Sequence, residues 1–172
     1  FIMFLHGLGD RGASWAILQQ QLRLSAAVRY AFPDAPLQPV SCNGGHVMTS
    51  WMDLEDIPIT PSTPDTGRHL DASVTKTTAL IDTVLADTPH VDRSRVVLGG
   101  FSQGAALALV AGLTLDPPVA AVCCLSGWAP PSARLKTAAS HLVATQPEAC
   151  RPSVLVCHGM SDGVVVPECG MQ

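Results

Sequence analysis

Apolar residues gather into short runs separated by glycine, proline and polar clusters, and the runs fall into two kinds. Phe1–Leu5, Val28–Phe32, Arg95–Gly99, Val119–Leu125 and Ser153–His158 are short and carry many β-branched residues, which predicts strands, buried ones at Phe1–Leu5 and Val119–Leu125. Between them, Ser14–Leu24, Leu70–Leu85, Gln103–Leu115 and Ser132–Thr145 read as helices. Trp15, Ile17, Leu18 and Leu22 mark the first of these. Val74, Ile81, Val84 and Leu85 mark the second, which Pro89 closes. From Pro33 to Gly67, six prolines and three glycines exclude a long regular element. Its apolar island is Met48–Leu54, and long excursions of this kind are often functional. Strands alternating with helices predict one α/β domain over residues 1–172. The sheet should be mostly parallel, with right-handed crossovers and helices on both faces.

The sharpest stretch is Val96–Leu113, where an apolar strand turns at Gly99–Ser102 into an apolar helix. Gly100-x-Ser102-x-Gly104 is the nucleophile-elbow pattern. The chemistry needs that spacing. Ser102 must sit in a tight turn with Oγ pointing off the sheet, and small residues two before and two after keep side chains clear of strand and helix. The helix then aims its N-terminal N–H groups at the place where an oxyanion forms. In parallel sheets ligands bind outside the carboxyl ends of the strands. The other candidate motifs fall there too: His6–Asp10, Ser126–Trp128 and the His158–Asp162 turn.

Roles follow from position. Ser102 is the candidate nucleophile and needs a positioned base to activate it. The N–H of Gln103, next to the nucleophile, and that of Leu8, in the loop after the first strand, are the candidate oxyanion donors. Asp162 is the candidate triad acid, in the chain order Ser…Asp…His; a turn aspartate within Ser161-Asp162-Gly163 is the plainer alternative. None of the six histidines follows Asp162. His6 and His158 end strands beside glycines and read as structural, so the general base is expected outside this chain. Trp51, Leu54, Ile57 and Trp128 are expected to line an apolar groove for an acyl chain above Ser102. A plainer reading has Trp51 pinning the proline-rich loop to the domain.

Composition narrows the classes. With 172 residues, 47% apolar and 14% charged, the chain can bury a core and is not of disordered type. A net charge of −4 without a basic cluster gives no footing for nucleic acid or an anionic membrane surface. The longest apolar run, Ala105–Leu113, is too short to cross a bilayer. The six cysteines show neither C-x-x-C nor metal-like spacing, so no metal is expected. They read as reduced thiols of a cytosol-like compartment. A targeting segment ahead of Phe1 is left open.

With these residues assembled, the chain resembles the acyl-protein thioesterase/carboxylesterase (lysophospholipase-like) family of α/β-hydrolases. The matching pieces are Phe4–Asp10 (FLHGLGD), Phe32–Val40 (FPDAPLQPV), the Met48-x-Ser50-Trp51-x-Asp53 island, Leu98–Ala106 (LGGFSQGAA), Leu125–Trp128 (LSGW) and Cys157–Asp162 (CHGMSD). The resemblance implies hydrolysis of carboxylic esters and acyl thioesters without a cofactor, including S-acyl groups on proteins and lysophospholipids. It implies Ser102 as nucleophile, Asp162 as acid, Leu8 and Gln103 as oxyanion donors, and a strand order 2-1-3-4-5. It also implies further strands before Phe1 and, after Gln172, a strand, the catalytic histidine and a last helix. The path from Asp162 to Pro167 is one residue longer than the family's. A non-catalytic acyl- or small-molecule-binding protein on the same fold is the competing class. Another elbow hydrolase, of dienelactone type or a peptidase, is a further rival.

Overall fold

The computed structural model describes residues 1–64, 69–88, 90–131 and 133–171. Pro89 and Ser132, assigned above to a helix end and a helix start, lie outside the described residues. A five-stranded sheet forms the centre. Its strands are β1 (Ile2–Leu5), β2 (Tyr30–Ala31), β5 (Val97–Phe101), β6 (Ala121–Leu125) and β7 (Ser153–Cys157). The order is β2-β1-β5-β6-β7, with every pair parallel, which is the order the resemblance implies. The register sets Leu5 beside Gly100, Gly100 beside Cys124, and Leu125 beside Cys157.

Alternation along these strands assigns the two faces. A Cβ on Gly100 would lie 2.3 Å from the carbonyl carbon of Gly104, so Gly100 faces helix α3 (Gln103–Thr114). Met3, Leu5, Leu98, Val122 and Cys124 share that face and are buried. Helices α2 (Leu70–Ala86) and α4 (Ala133–Thr145) flank α3. Gly99 faces the other way, and its Cβ would meet the Phe4 ring at 2.9 Å. On that side Trp15 stacks between Phe4 and Phe101, at centroid distances of 4.6 and 5.4 Å.

One expectation is corrected. The helix expected over Ser14–Leu24 is a 3-10 turn at Gly12–Trp15 followed by the single turn α1 (Leu18–Gln21). Gly12 is pressed so close to Phe32 that a Cβ would lie 1.9 Å from its carbonyl oxygen, and only Trp15 reaches the sheet. Ile17, Leu22 and Leu24 stay exposed, so the segment lacks the buried stripe that would stabilise a longer helix. The second face of the sheet is thus covered more thinly than the first. Within the excursion, Leu37–Val40 (β3) and His46–Thr49 (β4) pair as an antiparallel ribbon. Gly44 and Gly45 both adopt positive φ at its turn. The ribbon is largely exposed, with Leu37 and Val47 facing solvent, so it carries no buried-strand pattern.

Candidate active site

The elbow is built by exclusion. Ser102 has φ 53° and ψ −118°, a conformation that L-residues seldom adopt. Its N–H donates to Leu125 O at 2.9 Å, which ties the turn to β6. Its carbonyl accepts from Ala105 and Ala106 N–H and so starts α3. A Cβ on Gly104 would lie 2.2 Å from Leu5 O and 2.5 Å from His6 O. Strand and helix can therefore approach this closely only with glycine at both positions of the motif. The N–H groups of Leu8 and Gln103 donate to no partner among the described residues. Leu8 shares with Ser102 the lining of a 370 Å³ cavity. Gly7 lies against the elbow, its Cβ position 3.5 Å from Ser102 Cβ.

The loop bearing Leu8 is fixed from several sides. Gly9 N–H donates to Thr49 O at 2.8 Å. Asp10 accepts from Arg11 N–H, Ser14 Oγ and Trp15 Nε1 at 2.7, 2.6 and 2.9 Å. The Ser14 hydroxyl, ahead of its other partners, holds the Asp10 carboxyl below the usual carboxylate range. Sequence reasoning assigns no separate role to Asp10; its signal is Ser and Trp four and five residues on.

Gln103 has a second part that sequence reasoning missed. Its side chain is fully buried. Oε1 accepts from Trp51 N–H at 2.8 Å, and Nε2 donates to Met52 O and Ser50 Oγ at 2.8 and 3.0 Å. The residue after Ser102 therefore clamps the apolar island of the excursion to the elbow.

That clamp decides the place of Trp51. The expected groove position is not where it lies: Trp51 is fully buried and absent from the cavity lining. Its Nε1 donates to His6 O at 2.8 Å, its carbonyl accepts from Ser73 Oγ, and its ring lies 5.2 Å from the His6 ring. An indole whose N–H finds a buried carbonyl is favoured under the loop, not beside solvent. The other expected lining residues, Leu54, Ile57 and Trp128, do border the Ser102 cavity, together with Phe101, Val164 and Val165.

Asp162 lies in the loop after β7. Its Oδ1 accepts from Val164 and Val165 N–H at 2.9 and 3.0 Å, so it also serves as the turn residue of its own loop. Burial pushes its carboxyl up. The two N–H donors, the His158 imidazole and the Ser126 hydroxyl outweigh that and hold it below its ordinary value. A bridge between Ile59 and Val165 fastens the loop to the excursion, with Ile59 N–H to Val164 O at 2.8 Å and Val166 N–H to Ile59 O at 3.0 Å.

The histidines fall into two groups, two held by backbone groups and four exposed. His6 is fully buried, with Nδ1–H donating to Gly7 O at 2.7 Å and Nε2 accepting from Ala35 N–H at 3.0 Å. His158 donates from Nε2 to Val165 O at 2.8 Å and stands 3.7 Å from Asp162 Oδ2; its Nδ1 is buried without a partner among the described residues. His46, His69, His90 and His141 are exposed, and none lines the Ser102 cavity. A 420 Å³ cavity at the far end of α3, lined by Leu115, Thr137 and His141, is larger but has no elbow beside it. No group of three or more potential metal ligands occurs among the described residues, and no described helix is long and apolar enough to cross a membrane.

The chain is similar to known proteins. An acyl-protein thioesterase 1 of Mycosarcoma maydis is 35% identical, over 99% of this chain and 72% of its own length. A probable carboxylesterase of Oryza sativa subsp. japonica is 34% identical over 99% of this chain, which spans only 62% of the rice protein. The crystal structure of Arabidopsis thaliana SOBER1 superposes with a TM-score of 0.84 at 33% identity, over 99% of this chain and 79% of that one. The signature of the phospholipase/carboxylesterase family matches residues 1–170. With its elbow, its parallel sheet and that match, the chain belongs to the phospholipase/carboxylesterase family of α/β-hydrolases.

Proposed function

We propose that the protein is a serine hydrolase of carboxylic esters and acyl thioesters. S-acylated proteins and lysophospholipids are the natural substrate classes. The observation that carries this is Ser102, held at positive φ beside an apolar 370 Å³ cavity, with the unengaged N–H groups of Leu8 and Gln103 next to it. Ser102 Oγ attacks the acyl carbonyl as its proton passes to an imidazole. The carbonyl oxygen becomes an oxyanion and accepts from the two N–H groups. The C–O or C–S bond breaks, and the leaving alkoxide or thiolate takes the proton. Water then releases the acyl group by the reverse sequence. Leu54, Ile57 and Trp128 hold the acyl chain, and Asp162 holds the imidazole.

The imidazole is none of the six histidines of residues 1–172. His6 and His158 are committed to backbone groups and the other four are exposed away from the cavity. We infer that the complete protein supplies it from a segment following Gln172, together with a strand that pairs with β7 and a last helix. Residues 1–172 are then one incomplete domain. The greater length of the relatives and the exposure of β7 both favour this. No cofactor or nucleic acid takes part. The six unpaired cysteines suit a reducing, cytoplasmic setting.

The test is hydrolysis of p-nitrophenyl octanoate and of an S-octanoyl peptide by the full-length protein and by residues 1–172 alone. Ser102→Ala should abolish turnover, and Asp162→Asn should lower kcat about ten-thousandfold. Equal, substantial turnover by the short and full-length chains would place the base among His6 and His158 after all. Acyl-chain binding without any turnover by the full-length protein would favour the non-catalytic reading.

A further inference from the structure

His158 follows β7 directly and opens the loop that carries Asp162 four residues on. Its side chain is only 7% exposed, although β7 itself is open to solvent. The ring is folded back under its own loop. Val165 O can only accept, so the ring proton that meets it sits on Nε2, 2.8 Å away. The same edge of the ring faces Asp162 Oδ2 at 3.7 Å, too long for a second hydrogen bond but close enough for charge. Val165 is the pivot between the two side chains. Its carbonyl is held by His158, its N–H donates to Asp162 Oδ1 at 3.0 Å, and it borders the Ser102 cavity. The two carboxylate oxygens are thereby told apart: Oδ1 is spent on the loop N–H groups, and Oδ2 is turned toward the ring.

The other edge of the ring is braced. A Cβ on Gly170 would lie 2.7 Å from Nδ1 and 3.1 Å from the His158 Cβ and Cγ, so the ring packs on the bare main chain of Gly170. Gly170 belongs to the 3-10 turn Pro167–Met171. That turn is fixed through buried Cys169, whose N–H donates to Val166 O at 2.9 Å and whose thiol reaches Ile59 O at 3.6 Å. Nδ1 is buried there with no partner among the described residues. A buried ring nitrogen left unmatched costs free energy, so an apolar ring would fill this space better than an imidazole does. What only the imidazole supplies is on the other edge: a donor to Val165 O beside the Asp162 carboxylate.

We propose that His158 is the positioning residue of Asp162: its ring, backed by Gly170, holds Val165 O and through that loop sets where the carboxylate points. This rests on the esterase reading above, in which Asp162 holds the imidazole of the base. It gives His158 a task in the reaction without contact to substrate.

In the full-length protein, His158→Phe keeps a ring and removes the donor, and His158→Gln returns an N–H to the place of Nε2. kcat and KM are measured on an S-octanoyl peptide, and the Asp162 carboxyl is titrated by carbon-13 NMR. His158→Phe should lower kcat by up to about a hundredfold, the scale of a displaced catalytic group, with KM within about twofold of wild type. Burial pushes the Asp162 carboxyl up, and the loop N–H groups and the His158 imidazole pull it down, so in the same variant it should titrate at a higher pH. His158→Gln should recover most of kcat and part of the titration shift. Gly170→Ala pushes the ring from behind and leaves every donor of the loop in place. It should show both changes in smaller measure, and it carries the test if His158→Phe does not fold. Wild-type kcat with an unmoved Asp162 titration in a folded His158→Phe or Gly170→Ala variant would overturn the proposal. So would a loss of kcat with the titration unmoved, or equal losses in the Phe and Gln variants. A titration that moves in these variants while the full-length wild type hydrolyses nothing would remove the esterase reading and leave His158 as the residue that places this carboxylate.

Discussion

Ser102 and Asp162 stand at the carboxyl ends of two strands of one sheet, and the strands are built differently. β5 lies inside the sheet between β1 and β6, with Leu98, Gly99 and Gly100 buried. Burying a side chain such as Leu98 stabilises the fold by roughly 1.5–3 kcal/mol. β7 closes the described sheet, and Val154, Leu155 and Val156 are 46, 56 and 43% exposed. Ser102 is thus positioned by steric exclusion, with backbone pressed on backbone at Gly100 and Gly104. Asp162 is positioned by hydrogen bonds within a loop that leans on the excursion. The first kind of positioning tolerates almost no added atom and is indifferent to pH. The second tolerates added atoms and depends on charge.

The glycines break that comparison most directly. Gly104→Ala drives a methyl against Leu5 O at 2.2 Å and should cost about 3 kcal/mol or more, with loss of the folded elbow. Gly163→Ala, in the Asp162 loop with nothing within 4 Å of the new Cβ, should stay within about 0.5 kcal/mol of wild type. Urea titrations of the pair decide it: similar losses would mean that the two sides are not differently built.

Gln103→Leu comes next. It leaves Trp51 N–H buried without a partner and Met52 O with the Ser50 hydroxyl alone, at a cost of about 2 kcal/mol. Protection of the Trp51 amide against hydrogen exchange should fall with it, since the clamp on the excursion is gone. A variant of wild-type stability would show that the amide network contributes nothing net.

Asp162→Asn probes charge on the acid side. The folded carboxyl titrates below its ordinary value of 3.8, so its stabilisation is complete above the unfolded pKa and is lost as pH falls through the folded one. Asparagine keeps an acceptor for the two loop N–H groups, so at neutral pH the variant should be only about 1 kcal/mol less stable. The difference between wild type and variant should shrink below pH 3.8. A difference independent of pH would remove the charge from the account.

The smallest effect is expected at Leu155→Lys in residues 1–172. On a strand exposed along its length it should shift stability by no more than about 0.5 kcal/mol. A loss approaching that of a buried leucine would mean that β7 is covered in solution.

The sheet was legible in the chain because its determinants are local. Short β-branched runs, glycine-rich exits and helices between the strands fix the parallel α/β arrangement, and strand order came with the family resemblance. The elbow was legible for the same reason: Gly100, Ser102 and Gly104 answer a steric demand that acts within five residues. Leu54, Ile57 and Trp128 were read from their size and loop position, and the structure brings them to the Ser102 cavity. Trp51, of the same size in the same loop, went to the core instead. What separates them is partners distant in sequence: the Gln103 amide and the His6 carbonyl, each more than forty residues away, give the Trp51 backbone and indole their hydrogen bonds. The broken Ser14–Leu24 segment follows the same rule, since Gly12 is pressed against Phe32, twenty residues on. Periodicity records which residues prefer burial. Which buried polar atoms meet is decided only when distant segments pack, because an unpaired buried donor or acceptor costs too much to leave unmatched.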